Sequence, residues 1–158
     1  MKKAYVLLSL LIFLTSCRYR EEALILSGIS EDIEETGIAL EFKEQSFEGT
    51  LTKKGEEITL KLSSSNLPED VEEILKGGDI IFSSGDFSLS KEAFSSPAFF
   101  IGEALKKLSQ SEVYKIPGGF RLIKEPYEAI FSKDGSLKEI LFPFGKLEIS
   151  LSQQHRTA

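Results

Sequence analysis

The spacing of apolar residues changes twice along the chain. Ala4–Thr15 is an apolar run of 12 residues interrupted only by Ser9. From Gly37 onward apolar residues recur with a period of two, which is typical of antiparallel strands with one buried face. One later stretch, Pro97 to about Gln110, has the spacing of an amphipathic helix instead. The pattern therefore predicts a sheet protein with one main helix, preceded by an apolar leader.

The alternation is clearest where Ile38, Leu40 and Phe42 are separated by small or charged residues. It continues through Phe47–Leu51 and, after a turn at Lys53–Glu56, through Ile58–Leu62. Further strands are predicted at Asp79–Ser83, Asp86–Ser90, Val113–Ile116, Phe120–Lys124, Tyr127–Ser132, Leu137–Phe142 and Lys146–Leu151. Asp134-Gly135 is a strong hairpin signal between two of them.

Two helices are predicted from their end signals. Ser96 is a good N-cap and Pro97 suits the first helical position of the main helix. Its apolar stripe consists of Phe100, Ile101, Ala104, Leu105 and Leu108. Leu67–Gly78 has Pro68 near its start, acidic residues in its first turn and a glycine pair at its end, which predicts a second, short helix.

The segment Arg18–Glu35 permits two interpretations. Glu21–Leu26 could begin a helix, but Gly28 and the acidic run Glu31–Glu35 suit a short helix and a solvated loop equally well. The acidic run is expected to face water, since charged runs seldom do anything else.

These elements predict an α+β fold. About eight strands form one antiparallel sheet, which curls because many twisted strands do not stay flat. The resulting half-barrel carries the main helix on its concave face, where the helical stripe can be buried. The predicted organisation is a leader at 1–16, a membrane-proximal segment at 17–36, a half-barrel domain at 37–151 and a flexible polar tail at 152–158.

The leader has the features of a cleavable export signal. Lys2 and Lys3 precede the apolar run, which is too short for the ~20 residues that cross a bilayer. The run ends in Leu14-Thr15-Ser16-Cys17, which resembles the lipobox of bacterial lipoproteins. That resemblance implies removal of residues 1–16, acylation of Cys17 (palmitate among the acyl groups) and a cell-membrane anchor on the extracytoplasmic face. An ordinary signal peptide that ends near a cysteine is the alternative.

Composition narrows the range of partners. The net charge of the 158 residues is −6, and removal of Lys2 and Lys3 with the leader would make it −8. An acidic protein is repelled by nucleic acid, so no nucleic-acid partner is expected. Cys17 is the only cysteine, which excludes a disulfide within the chain.

Residues for catalysis are scarce. The one histidine, His155, lies in the polar tail, and Cys17 is expected to carry lipid. Neither a Cys–His or Ser–His pair nor a metal site built on these residues is predicted, and no cofactor is expected. Carboxylates such as Glu69, Glu72 and Glu73 are closely spaced, but such residues usually face water. The sequence therefore predicts a protein that is not an enzyme.

Phenylalanine supplies the most suggestive pattern. Phe99 and Phe100 are adjacent on the main helix, so their side chains diverge by ~100°. With aromatic residues that precede the helix, they could line a hydrophobic cleft between helix and sheet. The candidate ligand-binding residues are Phe82, Phe87, Phe99, Phe100 and Ile101, with Phe94 nearby. An ordinary Phe-rich core is the other interpretation.

The order of elements over about Gly37–Leu151 resembles that of lipoprotein-carrier and mycobacterial-type lipid-binding lipoproteins. It is also similar to uncharacterised clostridial lipoproteins with a Phe-x-Gly-x-Leu strand (Phe47–Leu51), a Ser-Pro helix start (Ser96-Pro97) and a closing Asp-Gly hairpin (Asp134-Gly135). The resemblance implies a half-open antiparallel barrel closed by helices. Two functions follow as hypotheses: binding of a lipid or other hydrophobic ligand in the cleft, or non-catalytic docking of an envelope, germination or wall-remodelling protein through a sheet edge.

Overall fold

The computed structural model of the protein describes residues 21–64, 70–85, 87–92 and 96–150. Within these ranges the chain forms two helices and one antiparallel sheet. Helix α1 covers residues 21–30, and helix α2 is Pro97–Leu108. The strands are β1 (Ile33–Phe42), β2 (Gln45–Lys54), β3 (Glu57–Ser63), β4 (Val71–Lys76), β5 (Asp79–Ser84), β6 (Phe87–Glu92), β7 (Glu112–Ile116), β8 (Gly119–Lys124), β9 (Tyr127–Ser132), β10 (Leu137–Phe142) and β11 (Gly145–Ile149). The predicted leader, Cys17, Pro68, Phe94 and the tail with His155 lie outside the described residues.

The sheet is an open meander whose two halves meet in its middle. Its strand order is β6-β5-β4-β3-β2-β1-β11-β10-β9-β8-β7, so each strand pairs with a sequence neighbour except at the β1–β11 junction. At that junction Ile38 pairs with Ile149 and Leu40 with Leu147. The two edge strands, β6 and β7, are the pair that α2 connects along the chain.

Helix α2 shows how strongly the sheet is curved. It contacts β3 and β4 in one half of the strand order and β8, β9 and β10 in the other half. β4 and β8 are seven strand spacings apart in the sheet order, which is ~34 Å in a flat sheet. A helix of 12 residues is only ~18 Å long. The sheet must therefore bend around α2, as the sequence predicted.

One face of this sheet forms the core. Ile38, Leu40 and Phe42 of β1 are all buried, and the buried residues of the other strands continue the same face. Ile101, Ala104 and Leu108 of α2 are fully buried against it. Each large apolar side chain removed from water in this way contributes ~1.5–3 kcal/mol. The helical stripe is thus buried on the concave face, but the helix packing differs from the prediction of a single covering helix, because Ile25 and Ile29 of α1 are buried in the same core.

Several predicted element ends are also confirmed. Ser96 caps α2 with its side chain, and Pro97 is the first helical residue. The hairpin between β9 and β10 turns at Asp134-Gly135, where Gly135 has a φ of 86°, a conformation that glycine adopts without strain.

The short helix predicted at Leu67–Gly78 is wrong where the chain is described. Val71–Lys76 is strand β4, paired with β3 on one side and β5 on the other. These six residues have helix-like end signals, but their inward and outward positions also fit a strand. Pairing with a strand on each side satisfies their backbone N–H and C=O groups better than an isolated turn of helix would. Residues 65–69, including Pro68, are outside the described ranges.

The fold also contains more elements than expected. Eleven strands are present among the described residues, whereas about eight were predicted. Two helices are present there, whereas a single helix was expected to cover the sheet. The ambiguous segment is helical at 21–30, and β1 already begins at Ile33 instead of near Gly37. The acidic residues of Glu31–Glu35 are exposed, as expected.

Candidate functional site

A cleft of about 670 Å³ lies between the two helices and one end of the sheet. Its floor is formed by the concave face of β2, β3 and β4, and its rim by the turns Gly55–Glu56 and Gly77–Gly78. The volume lies within the ~300–1,000 Å³ range of small-molecule sites in proteins. We refer to this space as the inter-helix cleft.

The floor of the cleft is a row of side chains across three strands. Lys53 of β2 pairs with Ile58 of β3, and Ile58 pairs with Leu75 of β4. Neighbouring strands are ~4.8 Å apart, so the row spans ~10 Å. All three residues line the cleft, which has an apolar floor with one cationic end.

Helix α1 forms one wall, along one end of the strands. Ile25 and Ile29 are buried in the core, and Ile29 also lines the cleft. A Cβ on Gly28 would lie 3.4 Å from the carbonyl oxygen of Gly135, so the helix passes close to the β9–β10 turn. Further along α1 toward its start, Glu21 pairs with Lys115 of β7 at 3.3 Å. Helix α1 therefore extends from β7 toward β2 across this end of the sheet.

Lys53 binds the far end of α1. Its side chain is 7% exposed, and its Nζ donates hydrogen bonds to the carbonyl oxygens of Ser30 at 3.0 Å and Glu31 at 2.8 Å. The last carbonyl groups of a helix lack partners within the helix and carry a partial negative charge. The ammonium group therefore satisfies these carbonyls and stabilises the helix end. Lys53 was predicted to lie in a turn, so its role was not expected from the sequence, although Lys53 continues the alternation of Gly49 and Leu51.

Helix α2 forms the opposite wall. The Oγ of Ser96 accepts a hydrogen bond from the backbone N–H of Phe99 at 3.2 Å, which fixes the start of the helix. Gly102 faces the floor, and a Cβ there would lie 2.6 Å from Cδ2 of Leu75 and 3.2 Å from Cδ1 of Ile58. The absence of a side chain at Gly102 thus lets α2 lie directly on β3 and β4.

A buried acid lies beneath the start of α2. Glu73 of β4 is 6% exposed, and its carboxylate accepts a hydrogen bond from the backbone N–H of Ala98 at 3.3 Å. Burial raises the pKa of Glu73 to about 7, and the hydrogen bonds from Ala98 and Ser96 oppose that rise. The expectation that the carboxylates of this segment face water is wrong for Glu73, because β4 turns it to the concave face beside Leu60 and Phe82.

The five phenylalanine and isoleucine candidates do not form one site. Phe99 lines the inter-helix cleft, whereas Ile101 is fully buried between α2 and the sheet. Phe82 is half-buried against the core beside Glu73, and the side chain of Phe87 lies outside the described part of the structure. A cleft between helix and sheet is therefore present, and of the four candidates whose side chains are described only Phe99 lines it.

Phe100 belongs to an aromatic cluster on the other side of α2. Its ring stacks on Phe142 with centroids 6.1 Å apart and contacts Phe42 at 6.0 Å and Phe144 at 6.0 Å. Phe42 and Phe142 are buried, and Phe144 is 69% exposed at the β10–β11 turn. Here the Phe-rich core, the second interpretation of the sequence, describes the environment of Phe100.

The lining of the cleft combines apolar side chains with a few charged groups. Among the described residues, no group of three His, Cys, Asp or Glu side chains is placed to hold a metal ion. Helices α1 and α2, the two in the described ranges, are both too short or too polar to cross a bilayer. The charged groups of the lining are Lys53, Glu56, Glu103 and Lys106, of which only Lys53 is buried.

Comparison with known proteins adds no assignment. No family model matches the chain, and no curated protein matches its sequence.

Proposed function

We propose that this chain is a lipid-anchored protein of the cell envelope that binds an acyl chain or another apolar ligand in the inter-helix cleft. The observation that carries the proposal is the cleft itself, a space of about 670 Å³ with an apolar floor of Ile58 and Leu75 and an aromatic wall at Phe99. Ligand sites in proteins are typically concave, mostly apolar and provided with a few polar groups. No catalytic step is assigned to the protein.

The proposed anchor would place the cleft close to a membrane. The described part of α1 starts four residues after Cys17, a separation that an extended chain spans in at most ~14 Å. Two or more acyl chains on Cys17 would hold this end of the molecule at the bilayer surface. The cleft lies at the other end of α1, at Ile29 and Ser30, which is ~14 Å along the helix from Glu21, so the cleft would lie within ~30 Å of the anchored residue.

The fold is consistent with the resemblance to lipid-binding lipoproteins. An open antiparallel sheet that curves around a helix is the arrangement which that resemblance implies. Fold likeness alone does not define an activity, so the proposal depends on the cleft.

Docking of an envelope, germination or wall-remodelling protein through a sheet edge is supported less well. The edge strand β7 has only five residues and carries Glu112 and Lys115. Short strands with charged side chains are the features by which proteins discourage pairing at an edge.

The ligand can be sought in protein that is isolated from the cells that produce it. The full-length product is extracted from membranes in a mild nonionic detergent and weighed by native mass spectrometry. We expect an additional mass that disappears on denaturation, whereas acyl groups on Cys17 would remain with the chain. Protein without a releasable ligand, which also binds no added oleate or monoolein, would contradict the proposal.

Phe99 and Phe100 provide a matched pair of variants. Both are half-buried phenylalanines of α2, but only Phe99 lines the cleft. Phe99→Ala is expected to weaken ligand binding about tenfold or more, because a large part of an aromatic wall is removed. Phe100→Ala should lower stability through loss of its ring contacts, one of which is with Phe99 at 5.7 Å, and should weaken the affinity of the folded protein much less than Phe99→Ala does. Equal effects of the two variants on affinity would locate the ligand elsewhere.

A further inference from the structure

Lys53 places a positive charge at one end of the floor of the inter-helix cleft. The residue is 7% exposed and lines the cleft at one end of the Lys53–Ile58–Leu75 row. Its two hydrogen-bond acceptors are the neutral carbonyl groups of Ser30 and Glu31. Within the described ranges no carboxylate lies within ion-pair distance of its Nζ.

The partners of Lys53 leave part of its charge and one of its protons available. A helix end carries the equivalent of about half a negative charge, so α1 compensates about half of the ammonium charge. An ammonium group has three N–H donors, of which two are used by the carbonyls. Burial of an incompletely compensated charge is costly, and an anion that entered the cleft would remove that cost.

The other charged residues of the lining do not provide that anion. Glu103 pairs with Lys107 one helical turn further along α2, at 3.5 Å. Glu56 lies on the β2–β3 turn at the rim, where it is exposed, and Lys106 is exposed as well. Among the described residues of the lining, Lys53 is therefore the one buried charge, and the apolar residues Ile58 and Leu75 follow it across the floor.

We propose that the inter-helix cleft binds a single-chain lipid with an anionic head group, a carboxylate or a phosphate monoester. The head group pairs with Nζ of Lys53, and the chain lies along Ile58 and Leu75 and against Phe99. This inference rests on the proposed function and adds to it the class of ligand. A hydrogen bond between two ionised groups is shorter and about twice as strong as a neutral one. The cleft should therefore prefer an anionic head group to an uncharged one.

Three lipids with the same oleoyl chain test the head group. Oleate, oleoyl lysophosphatidate and uncharged monoolein are titrated separately into the detergent-extracted full-length protein, and occupancy is read by native mass spectrometry. We expect the better of the two anionic lipids to bind at least about tenfold more tightly than monoolein. The tighter of the two anions identifies carboxylate or phosphate as the natural head group.

Variants of Lys53 assign the selectivity to this residue. Lys53→Met should reduce the affinity for the anionic lipids to that for monoolein, and Lys53→Arg should retain the preference. Lys54→Met removes the neighbouring exposed cation of β2, which is not among the residues that line the cleft, and serves as the matched control, with no expected change. Should Lys53→Met fail to fold because α1 loses its partner, Lys53→Gln replaces it, since a glutamine amide can still donate to a carbonyl oxygen.

The outcomes separate this inference from the proposed function. Equal affinity for the three lipids, or a preference that survives in folded Lys53→Met or Lys53→Gln, overturns the role of Lys53 while ligand binding stands. Lys106→Met removes the exposed cation of the same lining, and a preference that is lost in this variant instead of in the Lys53 variants would move the head group to the rim and overturn the role of Lys53 as well. Failure of all three lipids to bind would overturn the proposed function itself.

Discussion

The buried carboxyl group of Glu73 should make the protein less stable as the pH rises through neutrality. Its pKa of about 7 in the folded state lies above the value of 4.5 expected when the chain is unfolded. Between these two values the folded protein binds a proton that the unfolded chain has released. The free energy of unfolding therefore falls as the pH rises from 4.5 to 7. Below pH 4.5 the ionisation of Glu73 has no effect on it, and above pH 7 the whole loss has occurred.

The size of the effect follows from the two pKa values. Their difference, at 1.36 kcal/mol for each pKa unit, corresponds to a loss of ~3 kcal/mol between pH 4.5 and pH 8. Glu73 is 6% exposed, so solvent screens this term little. A typical domain has a free energy of unfolding of ~5–15 kcal/mol, which makes the predicted loss easy to measure.

Glu73→Gln isolates the ionisation. Glutamine cannot release a proton, but its side-chain oxygen can still accept the hydrogen bond from the N–H of Ala98. Urea denaturation of the protein, monitored by circular dichroism, should give similar stabilities for wild type and variant at pH 4.5. At pH 8 the variant should be more stable by up to ~3 kcal/mol.

Glu72→Gln is the control, because Glu72 is the neighbouring residue of β4 and points to the opposite face, where its carboxylate accepts a hydrogen bond from Ser83. It should keep the pH dependence of the wild type. If Glu73→Gln loses stability between pH 4.5 and pH 8 as steeply as the wild type does, ionisation of Glu73 is not the cause of the pH dependence.

Other substitutions test the anchor and the packing. Cys17→Ala should block processing and release the protein from membranes washed with high salt; normal processing and retention would disprove the lipid anchor. Gly49→Ala should lower the free energy of unfolding by ~1–3 kcal/mol, since a Cβ would overlap the carbonyl oxygen of Lys61, and an unchanged urea midpoint would argue against this clash. Ile101→Ala, at a fully buried position, should cost ~2–5 kcal/mol, against ~0.5 kcal/mol or less for Ile123→Ala at a position that is 38% exposed.

Much of the local structure could be predicted from the sequence because it depends on neighbours along the chain. The cap at Ser96-Pro97, the turn at Asp134-Gly135 and the alternation of β1 are each set within a few residues. Their hydrogen bonds and backbone angles depend little on distant contacts. The curvature followed as well, since it arises from the number of twisted strands and the need to bury a helical stripe.

Val71–Lys76 could not be assigned in the same way. Its residues carry helix signals, and β3 and β5 decide that it is a strand. Such pairing joins segments that are distant in the chain, and it outweighs a local preference of a few tenths of a kcal/mol per residue.

The functional site likewise needed the tertiary structure. The adjacent pair Phe99 and Phe100 suggested a cleft, but the sequence alone could not tell which of them would line it. Lys53 and Glu73 are ordinary charged residues in the sequence, and both became buried because the alternation of their strands turns them toward the helices. Each lies at a helix end of opposite partial charge, α1 for Lys53 and α2 for Glu73. The sequence alone determined which face of regularly alternating strands such as β1 and β3 is inside. The tertiary structure decided that β4 joins this sheet, and the placement of two helix ends over the inner face decided which buried charges are tolerated.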